Sequence, residues 1–166
     1  MTTILNASTS AGLIITPDTS GNIQLQYNGV AAPAFSAYAN SGTNVPNVTW
    51  TKILYDTELF DTNNNFASSR FTPTVAGYYQ INGNGRFSNA VAGSTLYFGI
   101  YKNGVQYTLV GSGAASTPRA IQAATLMYMN GTTDYVEFWA YQNSGGTEAT
   151  DTGSQYTFSG CLLRGA

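Results

Sequence analysis

This sequence predicts an all-β fold, a sandwich or barrel of short strands, on three observations. No stretch of the 166 residues places apolar side chains at helical spacing. Short β-branched and aromatic runs instead recur between turn signals every 8–14 residues. Aromatic residues make up 13% of the chain, enough core material to set disorder aside even though only 8% is charged. The length suits one domain plus an appendage and suffices to bury a substantial core.

The elements follow in order. Residues 1–33 form an N-terminal segment of two short strands, Leu13 to Thr16 and Ile23 to Gly29, separated by Pro17-Asp18-Thr19-Ser20-Gly21. In the second, Ile23, Leu25 and Tyr27 alternate with Gln24, Gln26 and Asn28. One such strand pair cannot bury its apolar face alone, so this segment needs the main domain or copies of itself. The main domain, 34–166, carries strands at 34–40, 48–55, 69–73, 77–88, 94–102, 105–111, 119–129, 134–142 and 154–164. Asn103-Gly104 is the strongest short hairpin signal in the chain, and 130–133 is a second short turn. The connections 89–93, 112–118 and 143–153 are longer and rich in small residues. With strands alternating up and down, the two short turns fall at one end and the three long loops at the other. Loops on a rigid scaffold are favoured places for recognition, the alternative being plain solvated connectors.

Several strands are apolar on both faces. Tyr135, Glu137, Trp139 and Tyr141 share one face of 134–142, with Val136, Phe138 and Ala140 on the other. Leu96, Phe98 and Ile100 oppose Tyr97 and Tyr101, and Tyr79, Ile81 and Phe87 oppose Tyr78. A solvated antiparallel sheet alternates apolar with polar. Here one face fills the sandwich and the other is too aromatic to stay wet, which points to a partner; the alternative is a monomer with a Tyr-rich core.

Composition excludes several functions. Six basic residues, no basic run and a net charge of −2 argue against nucleic-acid binding through phosphates. The chain has no histidine, so the commonest general base and zinc ligand are both missing. Its single cysteine, Cys161, rules out a disulfide within one chain. The start, MTTILNAS, carries neither a secretory signal nor a membrane span. A sturdy protein with neither signal nor disulfide fits assembly in a cytoplasm and release by lysis, as a virion protein requires.

In order along the chain, Phe60, Asn65, Phe71, Gly77, Tyr79, Ile81, Asn103, Gly104, Phe158 and Gly160 resemble the C1q-like jelly roll of the C1q/tumour-necrosis-factor superfamily. Phe71-x5-Gly77-x-Tyr79 is the most specific part, and the resemblance spans roughly residues 34–166. Ile81 and Gly83 stand where aromatics are usual. The resemblance implies a jelly-roll sandwich, a homotrimer, and a protein that binds and does not catalyse. Residues 1–33 resemble the connecting segments of bacteriophage tail and head fibres, and the Asn-rich FDTNNNF stretch resembles C1q-like domains of phages.

No catalytic, cofactor-binding or metal-binding residue is assigned. Cys161 on the last strand reads as a buried structural thiol, since no histidine exists to activate it. Glu148 and Asp151 share one long loop and carry oxygen ligands of the kind calcium takes, but lack the calcium-loop pattern and read as solvated charges. Asp56, Glu58 and Asp61 suggest a glycosidase carboxylate pair or, preferably, an edge strand guarded by charge. The sequons at Asn6, Asn47 and Asn130 are discounted in an Asn/Thr-rich chain without a signal. The expected function is a trimeric virion fibre, spike or decoration protein. It would attach to other virion proteins through residues 1–33 and adhere to a cell-surface glycan or protein, with no nucleic acid, no membrane insertion and no cofactor. The alternatives are a purely structural capsid or tail component, or a tail-associated glycan-degrading enzyme.

Overall fold

The protein is seen as a computed structural model that describes residues 26–27, 30–89, 91–113 and 120–166. Fifteen strands and no helix occur among these residues. In chain order they are β1 (Gln26–Tyr27), β2 (Val30–Ala31), β3 (Ala34–Ala39), β4 (Asn44–Val45), β5 (Thr51–Lys52), β6 (Thr57–Asp61), β7 (Phe66–Ala67) and β8 (Arg70–Phe71). They continue as β9 (Gly77–Gly85), β10 (Thr95–Lys102), β11 (Val105–Gly113), β12 (Ile121–Met129), β13 (Val136–Gln142), β14 (Glu148–Ala149) and β15 (Gly153–Gly165).

Two antiparallel sheets face each other. One has the order β12-β9-β15-β3-β6, the other β11-β10-β13-β8-β7 with β5 added alongside β13. The chain changes sheet between β9 and β10 and again between β11 and β12, the crossing connectivity of a jelly roll. The pairs β4–β14 and β1–β2 stand outside the two sheets. Of the N-terminal segment only Gln26–Tyr27 and Val30–Ala31 are described, and they pair with each other; the expected strand Leu13 to Thr16 lies outside the described residues.

Seven expected strands are present with ends shifted by a few residues, as β3, β9, β10, β11, β12, β13 and β15. The expected strand at 48–55 shrinks to β5, because Val48 adopts a left-handed backbone at φ 56°. Strand 69–73 shrinks to β8, because Ser69 completes a two-residue turn with Ser68, φ 58° and 51°. That turn is held by Ser69, whose hydroxyl accepts from Tyr55 N–H and donates to Tyr55 C=O.

The core lies between the sheets. Period-two alternation sends Phe35 and Ala37 of β3, Tyr79 and Ile81 of β9, and Phe158 of β15 inward from one sheet. Phe98 and Ile100 of β10 and Val136, Phe138 and Ala140 of β13 meet them from the other. Rings run continuously through this layer: Phe35 stacks on Phe71 at 4.3 Å and on Phe66 at 5.0 Å, and Phe98 stacks on Phe138 at 5.7 Å. Glycines make room for them. A Cβ at Gly83 would come within 2.5 Å of the Phe138 ring, and one at Gly85 within 2.4 Å of Phe98. Gly83 is thus filled from the opposite sheet.

Gly77 owes its identity to close approach, its φ lying outside the left-handed region. A Cβ there would meet the Arg164 carbonyl at 2.4 Å and the Leu162 side chain at 2.6 Å. Backbone cannot step aside as a flexible side chain can. Gly77→Val should cost about 1–3 kcal/mol or abolish soluble expression; thermal melting checks this, and an unchanged midpoint would show the glycine to be incidental.

Candidate functional site

The turn end of the sandwich is cross-braced. Asn103 at φ 53° and Gly104 at φ 77° form the expected tight hairpin. Asn103 donates to Asp134 at 2.7 Å and accepts from Tyr135 N–H at 2.9 Å, so the two short turns meet at one end as expected. Asn130 Oδ1 caps the second turn by accepting from the N–H groups of Thr132, Thr133 and Asp134. Lys102 closes on Asp134 at 2.8 Å.

Two of the three long loops gather at the opposite end. Ser88 N–H bonds Ala149 C=O, and Thr95 N–H bonds Asn143 Oδ1. Residues 143–153 are more than a solvated connector. The buried Gln142 amide donates to Val45 and Gly146 carbonyls at 2.9 and 2.7 Å and accepts from Ser144 N–H. Thr150 pairs with Thr43, and the Asp151 carboxylate is gripped by Arg86 and Tyr156. This segment therefore ties the sheets together, which a replacement by a short turn would undo. The loop 112–118 is described only through Gly113, where β11 ends.

The acidic residues singled out in the sequence are dispersed. Glu148 sits in β14 and accepts from the Ser144 hydroxyl at 3.1 Å, apart from Asp151 and its Arg86 partner. No group of three or more metal-capable side chains occurs among the described residues. β6 is the edge strand that the Asp56, Glu58 and Asp61 pattern suggested. Asp61 accepts from the N–H groups of Asn63 and Phe66. Asp56 and Glu58 do line a cleft of about 400 Å³. Partial desolvation raises the Asp56 pKa, but the Ser41 hydroxyl and backbone N–H groups outweigh it and hold the carboxyl below its usual range. A glycosidase general acid needs the opposite shift. Cys161 is half-buried on the outer face of its sheet, not in the core as expected, because the residues facing the core on β15 are Tyr156, Phe158 and Gly160.

The same downward shift recurs at Asp134 and Asp151. Burial opposes ionisation at both; Lys102 and Asn103 outweigh it at Asp134, and Ser88 and Arg86 at Asp151. Carboxylates held below their ordinary 3.8 add stability that is full above about pH 4 and lost as pH falls through the folded values. The melting temperature should fall below about pH 4, and less steeply in Asp134→Asn. A midpoint that rises between pH 4 and pH 3 would contradict these pairings.

Two surfaces stand out. The first is the outer face of β12-β9-β15. Tyr78, Leu126, Tyr128 and Leu163 project from it, each 42–58% exposed, with the Tyr78 and Tyr128 rings 5.6 Å apart. Tyr107 of the edge strand β11 extends the strip, its hydroxyl 3.4 Å from the Leu126 carbonyl. Contiguous exposed apolar patches are where interaction surfaces are sought.

The second is the outer face of β10 and β13. Trp139 stacks on Tyr101 at 5.0 Å, and Trp50 packs on Tyr141 at 5.3 Å and on Tyr101 at 5.6 Å. Glu137 lies beside them, bonded by Arg70 at 2.9 Å, Lys52 at 3.3 Å and Trp139 Nε1 at 3.1 Å. Sequence alternation had offered Trp139 and Tyr141 as the face a partner covers. Trp50, brought in from before β5, covers much of it from within the chain, while Tyr78, Leu126, Tyr128 and Leu163 stay exposed on the other sheet and Val105, Tyr107 and Leu109 on the edge strand β11. Nothing local marked Trp50 for that role.

No protein-family model matches the chain, and no curated protein matches it. Solved structures do. The globular domain of zebrafish complement 1qA protein covers 81% of this chain and 99% of its own, at 17% identity and TM-score 0.59. Murine APRIL covers 80% and 99%, at 10% identity and TM-score 0.62. PRD1 vertex protein P5 covers 80% and 96%, at 14% identity and TM-score 0.56. At such identities the likeness is one of fold: an all-β jelly roll of C1q/TNF-like topology. No helix among the described residues is long and apolar enough to cross a membrane.

Proposed function

We propose that this chain is a homotrimeric virion protein of the fibre, spike or decoration type. Its jelly-roll head, residues 34–166, assembles through one sheet and adheres to a cell-surface molecule, while residues 1–33 attach it to other virion proteins. The observation that carries the reading is the strip of Tyr78, Leu126, Tyr128 and Leu163 on the outer face of β12-β9-β15, left open by the chain's own core. Burying it between copies removes apolar surface from water at about 25 cal/mol per Å². The absence of histidine and the lowered carboxyl of Asp56 favour binding over catalysis. A shared fold with a protein named for a vertex agrees with a place in a virion.

Light scattering of the purified chain should give about three times its 17.6 kDa mass. Leu126→Asp should dissociate it, because an unpaired charge in a dry interface is costly. A monomer at micromolar concentration, or a Leu126→Asp variant that stays trimeric, would overturn the assembly reading. A purely structural role is the second reading, supported by the tied-down loop end; binding of the labelled chain to a panel of bacterial cells separates the two.

A further inference from the structure

The rings of Trp50, Tyr97, Tyr101, Trp139 and Tyr141 form one connected surface with neighbouring centroids 5.0–6.3 Å apart. Its shape is imposed by small residues and by strain. Gly99 pairs with Trp139, and a Cβ there would come within 3.4 Å of the Tyr101 ring, on which the Trp139 indole stacks. Gly111 opposes Tyr97, where a Cβ would come within 2.2 Å of the ring. Val48 is β-branched yet left-handed at φ 56°, and its N–H is tied to Gln142 C=O at 2.8 Å. Asn47 Oδ1 accepts from Gly145 N–H at 2.9 Å beside it. This kink, costly for a β-branched residue, precedes Trp50 and brings it over Tyr97 and Tyr141. The surface is thus held in place before any ligand arrives.

Its chemistry is amphipathic and uncharged. All of these residues but Tyr101 are partly exposed. Trp50 Nε1 and the hydroxyls of Tyr97, Tyr101 and Tyr141 have no hydrogen-bond partner among the described residues. The one carboxylate alongside, Glu137, is already neutralised by Arg70 and Lys52. With roughly 150–250 Å² per ring, the open part of the four partly exposed rings comes to at most a few hundred Å². That is short of the roughly 800 Å² a stable protein interface takes from each side. A hexopyranose chain fits: its C–H faces lie on ring faces, and its hydroxyls reach the free phenol and indole tips.

We propose that this five-ring surface binds a neutral saccharide, with pyranose faces laid on Trp50, Tyr97 and Tyr141. The proposal rests on the adhesion reading and names its ligand class and contact surface, on the sheet opposite the apolar strip. Both tryptophans of the chain lie in the surface, so intrinsic fluorescence reports on it directly. The full-length protein is applied to a printed array of neutral and acidic glycans. It is then titrated with cellohexaose, maltohexaose, mannohexaose and the strongest neutral ligand from the array, followed by tryptophan emission and calorimetry. At least one neutral oligosaccharide should give a saturable emission change. Trp50→Ala and Tyr97→Ala should each weaken binding about tenfold or more. Tyr97→Phe and Tyr141→Phe keep the ring, should melt as the parent does, and should weaken binding several-fold. No neutral glycan bound on the array, or binding unchanged in folded Tyr97→Ala and Tyr141→Phe, overturns the site. If the parent still binds bacterial cells in that case, adhesion stands and only this surface is wrong; if it binds no cells either, both readings fall.

Discussion

Phe138→Ala should lower the melting temperature by roughly 10 °C, from a loss of about 3–5 kcal/mol. The Phe138 ring is fully buried at the centre of the sandwich, 5.7 Å from Phe98 and 6.1 Å from both Tyr55 and Phe158. It occupies the space above Gly83, which has no side chain to relax into the hole. The cavity would therefore stay open, which is the costly case for a large-to-small change. Gly83→Leu alone should be damaging through overpacking, and combined with Phe138→Ala it should recover part of the loss, because volume moves from one sheet to the other. Thermal or urea unfolding of the three variants measures this. A drop below 3 °C for Phe138→Ala would mean that the sheets close up over the gap.

The second large effect concerns Glu137. Its side chain is 3% exposed, and its charge is held by Arg70 and Lys52. Arg70 also lies 3.8 Å over the Tyr135 ring, a contact of about 0.5–1 kcal/mol. Replacing both cations, Lys52→Met with Arg70→Met, leaves the carboxylate with only the Trp139 N–H and should cost about 3–5 kcal/mol. Adding Glu137→Leu to that pair should restore much of the stability, since the cost comes from a stranded charge. If the triple variant is no more stable than the double, the three residues act through packing and the charge is incidental.

Much of the sandwich was legible in the sequence because strand information is local. A period of two placed Val136, Phe138 and Ala140 on one face of β13 and Glu137, Trp139 and Tyr141 on the other, and the structure keeps that division. Asn103-Gly104 marked its hairpin through backbone conformation alone, a property of two residues. The charges around 56–61 marked an edge strand, since unpaired backbone needs protection from other strands. The strand expected at 48–55 went wrong for the converse reason. Val48 favours extended backbone intrinsically, and contacts with Gln142, far along the chain, override that preference.

The candidate surfaces were only half legible. The residues themselves identified an all-β chain with aromatics on both strand faces, poor in charge and lacking histidine. They did not say which second face remains open. Alternation distinguishes the sides of a strand without naming what lies against either. On β13 the outer side is roofed by Trp50, from 89 positions before Trp139, whereas on β9 and β12 the outer side, with Tyr78, Leu126 and Tyr128, stays bare. Likewise Gly83 looked like a missing aromatic until Phe138 arrived from the facing sheet. Composition and period are summed along the chain. Coverage depends on residues that meet only when the two sheets close, and no local pattern encodes that meeting.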